Sequence, residues 1–348
     1  MKTKIICTIG PATETHAMIE GLARAGMSIA RVNCSHGSAE RSREIIRTLK
    51  KVRDQKKLDF QIMLDTKGPD VRIGSFDGGY ATIHSGAEFV LSAQSETMGS
   101  DKGVFVGLSD LAKKVKIGTE VLINDGKIRL TVREVRGGDV VTRVEVGGIV
   151  SNNKTIYIPG VDMGLPFLSD VDKADLRMGI EESVDMVAAS FVSSAKDVAE
   201  LKGYLTECCP KAPLPLLVAK IESSKGVKNL TEILRDVDGV MVARGDLGVE
   251  YPVEKIPTLQ KWMVETANSA KKFVIVATEM MESMIKNVRP TRAEVGDIAL
   301  AVWQRAGAVM LSAETAVGDY PLQAVEYMKR VVVEAEKSGI SFTCVCKC

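Results

Sequence analysis

The sequence has no surplus of charge of either sign: across 348 residues, 46 basic side chains face 45 acidic ones, for a net charge of +1. That balance excludes the basic stripe of a nucleic-acid surface and the polyacidic tail of a solvating segment. Long apolar runs are also missing, and none approaches the roughly 18–20 residues that a membrane helix needs. Met1-Lys2-Thr3-Lys4 leads almost directly into a strand-like segment, which leaves no room for a signal peptide. A cytoplasmic protein with neither nucleic-acid nor membrane partners is expected. Cysteines are few and mostly scattered: Cys7, Cys34 and the pair Cys208-Cys209 read as free thiols of a reduced compartment. The terminal Cys344, Cys346 and Cys348 offer soft-metal ligands, but with no second ligand pair nearby. The remaining composition, 45% hydrophobic and 26% charged, is that of a globular chain long enough for one large domain and a smaller one.

Short apolar runs alternate with amphipathic helical patterns, the signature of βα units around a parallel sheet. The strand candidates are Thr3–Ile9, Met27–Asn33, Gln61–Asp65, Met186–Ser190, Pro215–Ile221, Val237–Ala243, Phe273–Thr278 and Ala308–Ser312. Each is a continuous apolar run of the kind buried on both faces. Ser169-x-x-Asp172, Ser194-x-x-Asp197 and Thr291-x-x-Glu294 have capping-box form and mark helix starts. After Thr291, the residues Ile298, Ala301 and Val302 share one helical face, and Gly307 closes the segment. Roughly eight βα units in one domain predict an α/β fold of the (β/α)₈ TIM-barrel type rather than an open sheet.

The pattern breaks between about residues 70 and 165. Ile128, Leu130 and Val132 alternate there with Lys127, Arg129, Thr131 and Arg133, a Gly137-Gly138 turn follows, and Val144 and Val146 resume the alternation. This is period-2 strand-turn-strand chemistry with one wet face. The expected organisation is therefore a barrel from residues 1–69 and 165–337, interrupted by an all-β insertion at 70–164, with a short tail at 338–348. Gly68-Pro69 and Pro159-Gly160 punctuate the insertion as hinge candidates.

In such a barrel the active site is built just beyond the C-terminal ends of the strands. Those positions hold Arg31, Asn33, Ser35 and His36; Asp65, Thr66 and Arg72; Lys220 and Glu222; Gly245 and Asp246; Thr278; and Ser312. Glu222 and Asp246, at the ends of adjacent strands, suit a hard oxygen-seeking cation such as Mg²⁺. Lys220 lies two residues before Glu222 on the same strand face, within reach of the same ligand. Arg31 and Arg72 supply fixed positive charge for phosphoryl oxygens. Asn33, Ser35 and Asp65 add hard oxygens with a single charge, which fits a monovalent ion better than a second Mg²⁺. A metal, a lysine and arginines converging on one point indicate charge stabilisation during phosphoryl transfer. Singly, a Lys-x-Glu is an ordinary ion pair, an Arg-Gly-Asp is common and His36 is a structural hydrogen-bonding residue outside the catalytic set. The agreement of six strand ends decides.

Arg-Val-Asn-Cys-Ser-His-Gly (31–37), Leu-Asp-Thr-Lys-Gly-Pro-Asp-Val-Arg (64–72), Ala-Lys-Ile-Glu (219–222), Met-Val-Ala-Arg-Gly-Asp-Leu-Gly-Val-Glu (241–250), Ala-Thr-Glu-Met-Met-Glu-Ser-Met (277–284) and Arg-Pro-Thr-Arg-Ala-Glu (289–294) resemble pyruvate kinase signatures, in unbroken order over about residues 3–335. The resemblance implies a barrel A domain with the insertion as a B-domain lid, and phosphoryl transfer from phosphoenolpyruvate to ADP, giving pyruvate and ATP, as in the last step of glycolysis. It implies that Lys220 stabilises the enolate and that Glu222 and Asp246 ligate Mg²⁺ or Mn²⁺. It assigns Asn33, Ser35, Asp65 and the Thr66 carbonyl to K⁺, and Arg31, Gly245 and Thr278 to phosphoenolpyruvate. Nucleotide contacts fall on Arg72 and Lys154, with Asn33, Ser35 and His36 alongside. Ser312 matches a hydroxyl linked to the proton-delivery water chain. Asp70 matches the acid that accompanies K⁺ dependence, whereas Ile73 replaces the usual threonine.

Other departures are Glu279 for glutamine, Ala313 for glycine, Lys225 for an acidic residue and Tyr157 for an asparagine near Lys154. Glu279 is expected to face solvent or a cation. Family members continue for on the order of another 100 residues into a C-terminal domain, whereas this sequence ends in an unfamiliar tail after residue 337. Two readings follow: a working enzyme, and a non-catalytic truncated isoform or fragment that binds ligand or assembles with full-length subunits through the barrel. A third, an aldol-type barrel lyase, is opposed by Lys154 and the Arg31/Asn33/Ser35 motif.

Overall fold

The computed structural model describes all residues except His36, Ser95, Asp125, Asp162, Lys211, Ala212 and 340–348. The chain divides into two compact units, one made of Met1–Gly68, Phe167–Gly245 and the chain from Glu254, the other of Pro69–Pro166 and Asp246–Val253.

The first unit is a closed barrel of eight parallel strands. In chain order they are β1 (Lys4–Thr8), β2 (Ile29–Asn33), β3 (Gln61–Asp65), β4 (Met186–Ala189), β5 (Leu216–Ile221), β6 (Gly239–Ala243), β7 (Phe273–Ala277) and β8 (Ala308–Leu311). Each pairs with its neighbours in sequence, and β8 closes on β1 with Lys4 opposite Ala308. Every apolar run expected to form a barrel strand does so, Gln61–Asp65 with the expected bounds and the other seven trimmed by one or two residues at one or both ends. Alternate residues point inward. Ile6, Ile29, Met63, Met186, Ala188, Val218, Met241, Ile275, Ala308 and Met310 fill the interior, all at most 3% exposed. Unbranched methionines suit this tapering space because their flexible thioethers adapt to irregular gaps. At Gly307 an added Cβ would lie 2.7 Å from the Phe273 ring, so glycine permits the close approach at the foot of β8.

The outer helices start where their caps predict. Ser169 and Thr291 form complete capping boxes with Asp172 and Glu294. Ser194 accepts from the Asp197 amide, but the Asp197 carboxylate turns instead to the Ser193 backbone and hydroxyl, 2.8 Å from each. Asp172 also accepts the Gly68 amide at 2.8 Å, which ties the helix start to the segment leaving β3. One turn further on, Asp175 is only 3% exposed. Burial pushes its carboxyl up to about 6, helped by the negative charges of Asp172 and Glu40. A carboxyl that is harder to ionise folded than unfolded costs stability as pH rises from about 4 to 6. Asp175→Asn should therefore stabilise the protein by about 2 kcal/mol at pH 7 and change little at pH 4. Urea unfolding at the two pH values measures this, and equal effects at both would contradict it.

In the second unit a six-stranded sheet runs in the order Ile156–Tyr157, Glu120–Ile123, Ile128–Arg136, Asp139–Val146, Glu88–Ser92, Gly103–Phe105. Gly148–Ser151 pairs separately with Tyr80–Ile83. Gly137 and Gly138, with φ of 62° and 99°, form the tight hairpin turn that only residues tolerating positive φ make comfortably. Ile128, Leu130, Val132 and Val144 are buried as the alternation predicts, but Val146 is 45% exposed. The cause is a bulge: Val144 lies opposite Leu130 and Val146 opposite Arg129, so Glu145 is the extra residue that breaks the alternation.

Among the described residues no helix is long and apolar enough to cross a membrane. Cys7, Cys34, Cys208 and Cys209 are free thiols. Cys344, Cys346 and Cys348 lie outside the described residues.

Candidate active site

One step along the inward-facing alternation beyond Ile6, Ile29, Met63, Ala188 and Val218 come Thr8, Arg31, Asp65, Ser190 and Lys220. The period of two thus turns an apolar barrel interior into a polar layer at the C-terminal end of the strands. Arg31 Nε donates to Asp65 Oδ2 at 2.6 Å, and its Nη1 donates to Thr8 Oγ1 at 3.0 Å. Lys220 Nζ donates to Asp65 Oδ1 at 3.0 Å and to Ser190 Oγ at 2.5 Å. It also stands 3.1 Å from Glu222 Oε1. Ser190 in turn donates its hydroxyl to the Thr66 carbonyl at 2.7 Å, and the Phe191 amide donates to Glu222 Oε2 at 2.6 Å.

Asp65 is 0% exposed, Glu222 3%, and Arg31 and Lys220 8% each. Isolated charges at that depth would be prohibitive. Two cations and two anions, interleaved and hydrogen-bonded, make the layer neutral as a group. Burial alone would raise the Asp65 carboxyl, but the charges and hydrogen bonds of Arg31 and Lys220 outweigh it and hold the group below the usual carboxylate range. Asn33 stands beside Asp65 in the β2–β3 register, and its Oδ1 accepts the Ser35 amide at 3.1 Å.

A second cluster lies at the ends of β6 and β7. The Gly245 amide donates to Thr278 Oγ1 at 2.8 Å. Thr278 and Glu279 both have positive φ, 70° and 52°, a conformation that a β-branched residue adopts only under external constraint. The constraint is Arg244. Its Nη2 donates to the Thr278 carbonyl at 2.5 Å and its Nη1 to Asp297 Oδ2 at 2.5 Å. The Glu279 side chain is exposed, as expected.

At the end of β8, Ser312 Oγ is buried with no hydrogen-bond partner among the described residues. The Ser312 amide donates to Glu314 Oε2 at 2.7 Å and the Met281 amide to Oε1 at 3.0 Å. Burial raises the Glu314 carboxyl, and these backbone donors offset only part of the rise.

In the second unit Arg72 Nε donates to Asp70 Oδ2 at 2.6 Å and Nη1 to the Asn153 carbonyl at 3.3 Å. The Lys154 carbonyl accepts the Ile73 amide at 3.0 Å, while Tyr157 Oη donates to Asp246 Oδ1 at 2.8 Å. The structure thus brings Arg31, Asp65, Thr66, Lys220 and Glu222 together, and Gly245 with Thr278. Arg72, Lys154 and Asp246 belong to the second unit, and His36 lies outside the described residues. The sequence reading did not single out Thr8, Ser190 or Arg244, although each ends or directly follows a barrel strand.

Among the described residues no group of three or more His, Cys, Asp or Glu could hold a metal by itself. A cation of the Mg²⁺ type needs no such group, since it takes one or two protein carboxylates and completes its shell with water and substrate oxygens.

The family model described as "Pyruvate kinase, barrel domain" matches residues 1–325. The pyruvate kinase of Geobacillus stearothermophilus is 41% identical over 339 residues, covering 97% of this chain and 57% of its own length. That of Clostridium perfringens is 40% identical over 335 residues, covering 96% and 70%. A crystal structure of a pyruvate kinase from Cryptosporidium parvum superposes with a TM-score of 0.90 at 38% identity, over 97% of this chain and 69% of that one. The chain therefore spans a little over half of the Geobacillus relative and about two thirds of the other two. With the barrel model matched over most of its length and these relatives covering nearly all of it, the chain belongs to the pyruvate kinase family.

Proposed function

We propose that the chain transfers the phosphoryl group of phosphoenolpyruvate to ADP, yielding pyruvate and ATP. Lys220 carries this reading: the residue is 8% exposed and ends the inner face of the barrel, and its ammonium is held by Asp65, Ser190 and Glu222. A fixed cation in a site that excludes water stabilises negative charge with little reorganisation, and the enolate left by phosphoryl departure is such a charge. Arg31, the Gly245 amide and Thr278 would orient phosphoenolpyruvate, and Arg72 and Lys154, with Asn33, Ser35 and His36, would meet the nucleotide. Glu222 and Asp246 would hold Mg²⁺ or Mn²⁺, which when bound supplies Lewis-acid polarisation of substrate oxygens. Asn33, Ser35, Asp65 and the Thr66 carbonyl would hold K⁺. Ser312 would serve proton delivery to carbon. A cytoplasmic location, the insertion as lid and self-association through the barrel complete the proposal.

The test is pyruvate formation by the purified protein, assayed with and without ADP, Mg²⁺ and K⁺. Turnover should require ADP and Mg²⁺ together and should fall at least about tenfold without K⁺, in line with a site that stabilises charge by fixed cations. Folded protein that binds phosphoenolpyruvate without turnover would instead favour the non-catalytic reading. Equal rates with and without K⁺ would remove the monovalent site alone.

A further inference from the structure

Asp246 lies in the helix Arg244–Glu250 and belongs to the second unit. Its Oδ1 accepts the Tyr157 hydroxyl at 2.8 Å across 89 residues of sequence. No other hydrogen bond reaches this carboxylate among the described residues. Tyr157 is well placed to hold it. The tyrosine ends the strand Ile156–Tyr157, which pairs with Ile123 and Leu122, and Ile156 beside it is 2% exposed in the core of the second unit. A phenol on a fixed backbone has only two torsions to order, so its hydroxyl is aimed at little entropic cost. Asparagine, the residue resemblance leads one to expect here, is a much shorter side chain and has no hydroxyl.

We propose that Tyr157 is a positioning residue that makes Asp246 present a single oxygen to a divalent cation, and so favours Mg²⁺ or Mn²⁺ over Ca²⁺. The inference rests on the reading of Asp246 as a ligand. With Oδ1 engaged by the phenol, Oδ2 remains to ligate. Mg²⁺ demands a near-ideal octahedron with short bonds, and single-oxygen carboxylate ligation suits it. Ca²⁺ takes six to eight oxygens and uses carboxylates through one or both atoms, and ligation through both would here set the ion in competition with the Tyr157 hydrogen bond at Oδ1. A donor to a carboxylate also withdraws electron density and weakens it as a ligand, but that effect acts on every cation. The ratio of affinities, not either affinity alone, therefore isolates the geometric effect.

The test uses the full chain with phosphoenolpyruvate present and ADP omitted, so that no turnover occurs. Mn²⁺ binding is followed by the electron paramagnetic resonance signal of the free ion, and Ca²⁺ binding by competition against Mn²⁺. Tyr157→Phe should lower the preference for Mn²⁺ over Ca²⁺ about tenfold, the scale of the one hydrogen bond to a charged group that two-atom ligation competes with. Tyr157→Asn should do the same, which separates loss of the donor from loss of ring packing; circular dichroism confirms that both variants fold. Asp246→Asn is the control and should abolish tight Mn²⁺ binding. If it does, and both Tyr157 variants keep the wild-type ratio, the positioning role is overturned while the site reading stands. If Asp246→Asn binds Mn²⁺ like the wild type, Asp246 is no ligand, and the site reading fails together with the inference.

Discussion

Lys220→Met should leave phosphoenolpyruvate binding within a few-fold of wild type and lower kcat by at least about 10²–10³-fold, the scale of removing one fixed electrostatic group from a transition state. Methionine fills nearly the same volume with no charge, so the substitution tests the ammonium rather than the packing. Its effect belongs in kcat because the charge that Lys220 meets exists only once the phosphoryl group has begun to leave. The variant also deprives Asp65 and Glu222 of a cation at 3.0 and 3.1 Å. Some loss of stability is expected for that reason, so the comparison is made at a temperature where circular dichroism shows the variant folded. A folded Lys220→Met protein with kcat within tenfold of wild type would remove Lys220 from the chemistry.

Much of the fold was readable because barrel strands are buried on both faces and so appear as unbroken apolar runs. The same period of two placed Lys220 and Glu222 on one face, and the structure finds them 3.1 Å apart. What escaped depended on partners distant in sequence. Ser190 is a single serine after β4, and it matters only because the register sets Ala188 opposite Asp65, which brings its hydroxyl to Lys220 and the Thr66 carbonyl. Arg244 looked like part of an ordinary Arg-Gly-Asp, yet it clamps Thr278 in a conformation that no local propensity of threonine would select. The Val146 error came from a bulge, which inserts a residue without changing the hydrophobic pattern that announces the strand. The bond between Tyr157 and Asp246 joins a strand to a helix far along the chain, and neither residue type alone signals it.

Asp65 should prove the least replaceable residue of the polar layer for stability. It is fully buried and accepts from Arg31 at 2.6 Å and from Lys220 at 3.0 Å, so its removal strands two cations with only Glu222 to balance them. Breaking a buried ion pair by deleting one partner typically costs about 3–5 kcal/mol, because the remaining charge keeps its desolvation penalty. Asp65→Asn preserves shape and can still accept one hydrogen bond, so it isolates the charge; about 3 kcal/mol is expected at pH 7. The pH dependence fixes the cause. The folded carboxyl is held below its ordinary value despite burial, so its stabilisation is fully present above the unfolded pKa of about 3.9 and disappears as pH falls through the lower folded value. The deficit of Asp65→Asn should therefore be constant from pH 5 to 8 and shrink only below about pH 4. Urea unfolding across that range reads it directly. An Asp65→Asn protein as stable as wild type at pH 7, or a deficit that fades near neutrality, would mean that Arg31 and Lys220 do not depend on this carboxylate for their burial.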